Sequence, residues 1–209
     1  LIFCGKQPGK HQIIQDQIHE LLIEKASQGK TVTRLKGGDP CIFGRVGEEA
    51  EILAEQGIRY EMVPGITAGI AAPAYAGIPV THRDYASSFA IVTGHSRAEQ
   101  DEDQLNWSAL AQGIDTIAFY MGVGNLPYIV SRLIENGKSP DTKAAIIQWG
   151  TTSKQKTVTG SLKDIEVRAL EAGITHPAIV LVGDVVGLHE KLRWFQEAEE
   201  KQEVGIGRD

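Results

Sequence analysis

The stretch Arg34-Leu-Lys-Gly-Gly-Asp-Pro-Cys-Ile-Phe-Gly-Arg45 is the segment from which the fold of the first part of the chain can be inferred. The β-branched residues of segment 30–34 favour a short buried strand, and segment 48–56 is typical of a helix with acidic residues in its first turn. The two adjacent glycines lack side chains and so leave the backbone accessible between this strand and this helix. The turn follows the carboxyl end of the strand, which is where open α/β sheets bind ligands. The sequence predicts a strand, a candidate ligand-binding turn and a helix, although a tight turn without a ligand fits the glycines alone.

The rest of the chain alternates between helix-like and strand-like segments. Apolar residues at helical spacing predict a helix over 13–28, and the Ala- and Gly-rich run 66–75 predicts another that Pro73 kinks or ends. Further strands are predicted at 60–63, 88–93, 116–121, 144–149 and 178–182, helices at 128–135 and 189–198, and a strand followed by a helix within 157–172. The predicted fold is α/β with two domains, residues 1–80 and 86–196, and a flexible tail over 197–209.

The composition is that of an ordinary globular protein, with 42% hydrophobic and 23% charged residues. No apolar run approaches the roughly 20 residues that a membrane helix needs, and the start lacks the pattern of a signal peptide. Cys4 and Cys41 form no Cys-x-x-Cys pair, and the six histidines include no His-Glu-x-x-His motif. We therefore expect a cytoplasmic protein without a disulfide framework or a bound metal.

The distribution of charge is uneven along the chain. A net charge of −6 argues against a nucleic-acid partner. Residues 1–45 nevertheless hold seven Lys/Arg against four Asp/Glu, whereas residues 46–112 hold three against ten. The basic side chains near the glycine turn are Lys6, Lys10, Arg34, Lys36 and Arg45. An anionic small molecule would fit this patch, although solvated surface side chains explain it equally well on charge alone.

Three further motifs follow the glycine turn: Val63-Pro-Gly-Ile-Thr-Ala68, Ala76-Gly-Ile-Pro-Val-Thr-His-Arg-Asp84 and Phe119-Tyr-Met-Gly122. Together with Arg-Leu-Lys-Gly-Gly-Asp-Pro they closely resemble the tetrapyrrole methyltransferases, over nearly all of residues 1–195. The resemblance implies a two-domain tetrapyrrole methylase fold with the active site in the interdomain cleft. It is closest to the members that use S-adenosylmethionine to methylate uroporphyrinogen III at two ring carbons. Their product is precorrin-2, the precursor of sirohaem and cobalamin.

The resemblance also implies which residues bind S-adenosyl-L-methionine and its product, S-adenosyl-L-homocysteine. Gly37, Gly38 and Asp39 would form the cofactor loop, with Ile42 packing beside it. The other residues implied to contact the donor are Thr67, Ala68, Met121, Gly150 and Ala178. A loop whose backbone is not covered by side chains suits a sulfonium donor. Its carbonyl dipoles can face the positive charge of the donor, while its amides bind the polar groups of the donor. Rate then comes mainly from holding nucleophile, methyl carbon and sulfur in line. Without the resemblance, a residue such as Met121 is more often part of the core, and Gly150 would be a plain turn.

By the same resemblance, Lys6 is the catalytic acid–base residue for the proton movement that follows carbon methylation. The implied acceptor is a reduced tetrapyrrole with eight carboxylates, for which Arg83 and the basic patch are candidate contacts. A homodimer is also implied. Family members begin with a strand, a Gly-Pro-Gly-Asp turn and a segment carrying an acid–base aspartate, none of which precedes Leu1. The sequence is therefore interpreted as amino-terminally truncated.

Three other functions stay open at the level of sequence. Another precorrin methyltransferase would share these motifs. A non-catalytic module that binds a nucleoside or tetrapyrrole would explain the missing first strand, whereas the presence of Lys6 favours the enzyme. Val92-Thr-Gly-His-Ser-Arg-Ala98 partly matches the nucleophile elbow of hydrolases. Because Ala98 replaces the second glycine and an acidic loop follows, a hydrolase with Ser96 as nucleophile ranks third.

Overall fold

Residues 1–4, 15–94 and 105–195 are the part of the chain that the computed structural model describes. The contacts between residues divide the chain into two units, Leu1–Thr67 (unit 1) and Ala68–Asp209 (unit 2). The fold is α/β, as predicted, and its five-stranded sheet lies in unit 2. The predicted domain bounds of 1–80 and 86–196 stay a prediction, and the predicted tail lies outside the described residues.

Unit 1 contains helices α1 (Gln15–Ser27) and α2 (Val46–Glu55), and α1 buries Ile18 and Leu22 on one face. The strands predicted at 30–34 and 60–63 are wrong, because both segments are irregular and exposed. Val32 is 39% exposed and Val63 is 76% exposed. A strand needs a neighbour for its backbone hydrogen bonds, and no ladder joins these segments in the described part of unit 1. Neither the β-branched residues of 30–34 nor the apolar and aromatic residues of 60–63 could supply that partner.

Unit 2 is built on one mixed sheet. Its strands are β1 (Phe89–Thr93), β2 (Thr116–Tyr120), β3 (Lys143–Gln148), β4 (Lys156–Ser161) and β5 (Ala178–Val182). Their order is β1-β2-β5-β3-β4, so the last strand in sequence occupies the centre. The β1–β2 pair is parallel, and the other three pairs are antiparallel. All five strands coincide with predicted strand segments to within about one residue at each described end.

Both faces of the sheet are covered. The helices of unit 2 are α3 (Ala68–Tyr75), α4 (Trp107–Gly113), α5 (Leu126–Glu135), α6 (Ile165–Glu171) and α7 (His189–Leu192). One core contains Phe119, Ile146 and Val180 together with buried residues of α4, α5 and α6. The other contains Ala118 and Leu181 with residues of α3 and the 3-10 segment Asp184–Leu188. Burial on two faces explains the apolar runs that identify β2, β3 and β5 in the sequence.

Two helices of unit 2 differ from the sequence prediction. Helix α4 was not predicted, although Asn106 caps it by accepting a hydrogen bond from Ala109 N at 3.0 Å. Helix α7 is shorter than the predicted 189–198, because the backbone is extended at Arg193. Trp194 Nε1 then donates to Ala74 O at 3.0 Å and fastens the chain to α3. None of the helices described here is long and apolar enough to cross a bilayer.

Candidate active site

In unit 1, the Asp39 side chain fastens the glycine turn to the loop 64–66. Its Oδ2 accepts a hydrogen bond from Gly65 N at 3.0 Å, and its Oδ1 accepts one from Cys41 N at 2.8 Å. These bonds, the Gly65 bond first, hold the pKa of the Asp39 carboxyl below its usual range. Both carboxylate oxygens are thus engaged within the protein. Asp39 therefore shapes the turn, a role that the sequence did not indicate.

Three glycines allow the backbones of these loops to approach each other. A β-carbon on Gly65 would lie 2.8 Å from Gly38 O, and one on Gly44 would lie 2.3 Å from Pro40 O. Gly38 has φ +131°, and a β-carbon there would lie 3.3 Å from Ile66 O. Packing and conformation therefore account for these three glycines. The sequence alone did not show that positions 44 and 65 require glycine. The local signals there were the dipeptides Phe43-Gly44 and Pro64-Gly65, which indicate a turn but not a close backbone contact.

Gly37 is different from the glycines around it. A β-carbon on Gly37 would meet nothing within 4 Å, and its φ lies outside the range that favours glycine. The fold of unit 1 therefore does not explain why this position lacks a side chain. Of the other predicted residues in unit 1, Ile42 lies on the same turn, with its N–H donating to Asp39 O at 3.4 Å. Thr67 is buried, and its Cα lies 3.9 Å from a β-carbon built on Gly38. The five predicted donor contacts of unit 1 thus lie on two adjoining loops.

The basic side chains near the turn are largely paired with carboxylates. Lys36 Nζ lies 2.8 Å from Glu49 Oε1, and Arg34 Nε lies 3.4 Å from the same atom. Arg45 Nη2 lies 2.5 Å from Glu48 Oε2. These contacts neutralise much of the positive charge on which the basic-patch hypothesis depends. Lys6, Lys10 and Ser96 lie outside the described residues, so their predicted roles stay predictions, whereas Arg83 is described and exposed.

In unit 2, three predicted residues lie at one edge of the sheet. Met121 follows β2, Gly150 lies two residues after β3, and Ala178 begins β5 opposite Gln148. Strands β2 and β3 each pair antiparallel with β5, so their carboxyl ends meet the amino end of β5. The topology therefore gathers Met121, Gly150 and Ala178, which are separated in sequence.

Helix α3 brings the fourth predicted residue of unit 2 to the same edge. Ala68 is its first residue, and the next residue, Gly69, donates its N–H to Tyr120 Oη at the end of β2. A β-carbon on Gly150 would lie 2.5 Å from Ala72 Cβ, so Gly150 allows α3 to pack closely. The four predicted donor contacts of unit 2 thus share one sheet edge.

The same edge has an unusual backbone. Met121, Trp149 and Thr151 have φ of 55°, 49° and 69°, a region that residues other than glycine seldom adopt. Nothing in the residue types indicates this conformation, so it could not be predicted from the sequence. Within the described ranges, no three His, Cys, Asp or Glu side chains gather in a way that could hold a metal ion.

A family model for tetrapyrrole (corrin/porphyrin) methylases matches residues 4–166. The chain belongs to this family. It is 55% identical over 195 residues to a uroporphyrinogen-III C-methyltransferase of Bacillus subtilis (strain 168), a match that covers 93% of the chain and 40% of that relative. A second B. subtilis protein of the same name is 50% identical over 204 residues, covering 98% of the chain and 79% of the relative.

The fold of the chain is also similar to a solved structure. The uroporphyrin-III C-methyltransferase of Thermus thermophilus, complexed with S-adenyl homocysteine, matches with a TM-score of 0.70 and 32% identity. The match covers 87% of the chain and 80% of the T. thermophilus protein. The predicted tetrapyrrole methylase fold and the predicted family are therefore confirmed. The chain spans less than half the length of the first B. subtilis relative and about four fifths of the second.

Proposed function

We propose that this chain performs the S-adenosylmethionine-dependent C-methylation of uroporphyrinogen III at two ring carbons, giving precorrin-2 for sirohaem and cobalamin synthesis. The open backbone at Gly37, in the Gly-Gly-Asp turn of a tetrapyrrole methylase, is the observation that carries methyl transfer. The choice of acceptor is supported by 55% and 50% identity to two relatives named for this reaction. S-Adenosyl homocysteine in the similar T. thermophilus structure supports the choice of donor.

We assign donor binding to the two sets of residues described above. The unit 1 set is Gly37, Gly38, Asp39, Ile42 and Thr67, and the unit 2 set is Ala68, Met121, Gly150 and Ala178. The donor supplies an electrophilic methyl group whose displacement needs alignment more than covalent help from the protein. The turn fixed by Asp39 presents backbone amides and carbonyls without reorganisation, which is the property that alignment requires.

Lys6 is the proposed acid–base residue. An ordinary lysine pKa of about 10.4 leaves the ammonium almost fully protonated at neutral pH, so it can donate a proton but cannot readily accept one. Removal of the ring proton therefore needs a second group, and a carboxylate would suit that role. We further propose that exposed Arg83 contacts an acceptor carboxylate, that the enzyme is a homodimer, and that it acts in the cytoplasm.

The central test is to incubate the protein with S-adenosylmethionine and uroporphyrinogen III, then weigh the products. Addition of two methyl groups is the expected result. Methylation of a precorrin but not of uroporphyrinogen III would favour a later methyltransferase instead. Binding of S-adenosylhomocysteine without transfer to any tetrapyrrole would favour a non-catalytic binding module.

A variant at Gly37 tests the donor site separately from turnover. Gly37→Ala places a methyl group in space that is open in the protein, so we expect an unchanged thermal midpoint. Affinity for S-adenosylhomocysteine should fall about ten-fold, or roughly 1.4 kcal/mol, because the added methyl would meet the ligand. Calorimetry measures the affinity. Gly38 is a poorer choice, since its φ of +131° would strain any substitute.

Gly47→Ala is the matched control. Gly47 lies in the first turn of α2, and a β-carbon there would also meet nothing within 4 Å. This substitution should raise helix stability by up to about 1 kcal/mol and leave ligand affinity unchanged. If Gly37→Ala binds S-adenosylhomocysteine as tightly as the unmodified protein does, the glycine turn does not face the donor.

A further inference from the structure

Trp149 is a bulky residue held in the left-handed conformation next to Gly150. Its φ is 49°, and 47% of the residue is exposed. For an L-residue this conformation is strained, because Cβ comes too close to the following carbonyl oxygen. Such strain persists only where the surroundings maintain it, and it often marks a functional position.

The surroundings of Trp149 hold its backbone and leave its ring open. Trp149 N donates to Pro177 O at 3.1 Å, and Trp149 O accepts from Thr152 N at 3.3 Å and from Thr152 Oγ1 at 2.7 Å. None of these bonds uses the indole. No aromatic ring in the described ranges pairs with Trp149, whereas buried Trp107 stacks on Phe119 with ring centroids 6.1 Å apart. The protein thus maintains a strained backbone while leaving half of a large apolar residue in water.

The position of Trp149 indicates what its ring would bind. It precedes Gly150, and its N–H binds the carbonyl of the residue before Ala178, at the edge where Met121 also lies. Gly150, Ala178 and Met121 are among the residues proposed above to bind the donor, whose one planar aromatic group is its adenine. A planar, uncharged and half-exposed indole among them suits a purine face, because nucleobases stack on aromatic side chains. We propose that Trp149 stacks on the adenine ring of the methyl donor, an inference that rests on the function proposed above.

Substitution by glycine separates this role from a structural one. Trp149→Gly relieves the positive-φ strain, which offsets the lost burial of half the residue and the added chain entropy of glycine, so the thermal midpoint should change little. Affinity for S-adenosylhomocysteine should nevertheless fall about ten-fold, as expected for loss of one base-stacking contact. Trp149→Phe keeps a ring at the same φ and should retain most of the affinity. Thr151→Gly, at φ 69°, relieves comparable strain nearby and should leave affinity unchanged.

Fluorescence provides a second measurement that does not depend on a folded glycine variant. Titration with S-adenosylhomocysteine should quench the tryptophan emission of the unmodified protein, and Trp149→Phe should abolish that quenching. Unchanged affinity in Trp149→Gly, or quenching that survives in Trp149→Phe, would overturn the proposal. If Trp149→Gly weakened the binding of uroporphyrinogen III and left the S-adenosylhomocysteine affinity unchanged, the adenine assignment would be overturned. The indole of Trp149 would then contact the acceptor. Absence of S-adenosylhomocysteine binding by the unmodified protein would instead refute the proposed function.

Discussion

Asp164, immediately before α6, shows how strongly one residue can stabilise a turn. Its Oδ1 accepts from Ser161 N at 2.6 Å and from Ser161 Oγ at 2.9 Å, and its Oδ2 accepts from Arg168 Nε at 2.6 Å. These contacts, the Ser161 backbone bond first, lower the pKa of Asp164 from 3.8 to about 2. Because the folded pKa is below the unfolded value, the stabilisation is complete above about pH 3.8 and is lost as pH falls through 2.

Asp164→Asn should therefore destabilise the protein in a pH-dependent way. We expect a cost of about 1 kcal/mol at pH 7, after allowance for solvent screening of a partly exposed side chain, and almost none at pH 2. Urea unfolding at the two pH values measures the difference. Asp84→Asn removes an exposed carboxylate from the same unit and corrects for the change in net charge. An equal loss at both pH values would mean that ionisation of Asp164 contributes nothing.

Single residues also show where prediction from sequence ends. The Gly-Gly-Asp motif identified Asp39 as important, but its loop-fastening role depends on Gly65, a partner 26 positions away. The position of Trp149 was equally hidden, because its exposure and positive φ follow from the contacts of its backbone with Pro177 and Thr152. Local sequence identifies residue types, whereas these roles arise from distant partners that no local pattern encodes.

Among the elements, α2 fastens the glycine turn through a buried ion pair. Glu49 is 3% exposed, and its Oε1 accepts hydrogen bonds from Lys36 Nζ at 2.8 Å and from Gln15 Nε2 at 3.1 Å. Lys36 Nζ also donates to Gly44 O at 2.6 Å. A single ammonium thus ties the beginning of the turn to its end, and Glu49 holds that ammonium against the helix.

Glu49→Ala should destabilise unit 1 on the order of 3 kcal/mol, because it leaves the largely buried Lys36 ammonium without its principal counter-charge. Glu48→Ala, one position earlier in the same helix, breaks a solvent-exposed pair with Arg45 and should destabilise the protein far less. Chemical denaturation of both variants, followed by a probe in unit 1, makes the comparison. Similar losses for the two would show that burial adds nothing to the Glu49 contact.

The elements that sequence predicted correctly share one physical property. Strands β2, β3 and β5 are identifiable because they are largely apolar runs buried between two layers. Segment 30–34 carries β-branched residues and segment 60–63 is largely apolar or aromatic, but neither has a paired neighbour in the described residues, so composition alone was misleading. Helix α4 was missed because its only local signal is the Asn106 cap before a short run.

At the scale of the whole molecule, the position of β5 predicts the order in which the sheet of unit 2 forms. The β3–β4 pair is a local antiparallel hairpin, and the β1–β2 pair is joined through α4. Strand β5 pairs with both β2 and β3, far from either in sequence, so it should join the sheet late in folding.

Leu181→Ala in β5 tests this order. Leu181 is fully buried, so its truncation should cost about 2–5 kcal/mol. If β5 joins late, this loss should appear mainly as faster unfolding, with the folding rate nearly unchanged. Ile146→Ala in β3, at equal burial, should slow folding instead. Stopped-flow kinetics in denaturant distinguish the two cases, and a strongly slowed folding limb for Leu181→Ala would contradict a late-joining β5.

The central place of the last strand has a consequence during translation. Until Val182 at the end of β5 has left the ribosome, the sheet cannot close. The emerging chain can then hold only two half-sheets, β1-β2 and β3-β4, in which β2 and β3 lack their shared partner β5. Each half then presents an open row of backbone donors and acceptors, the kind of edge on which nascent chains misassociate. Between the emergence of Gln148 and that of Val182 from the ribosome, both half-sheets therefore expose unpaired edges, and we expect a chain stalled in that interval to aggregate readily.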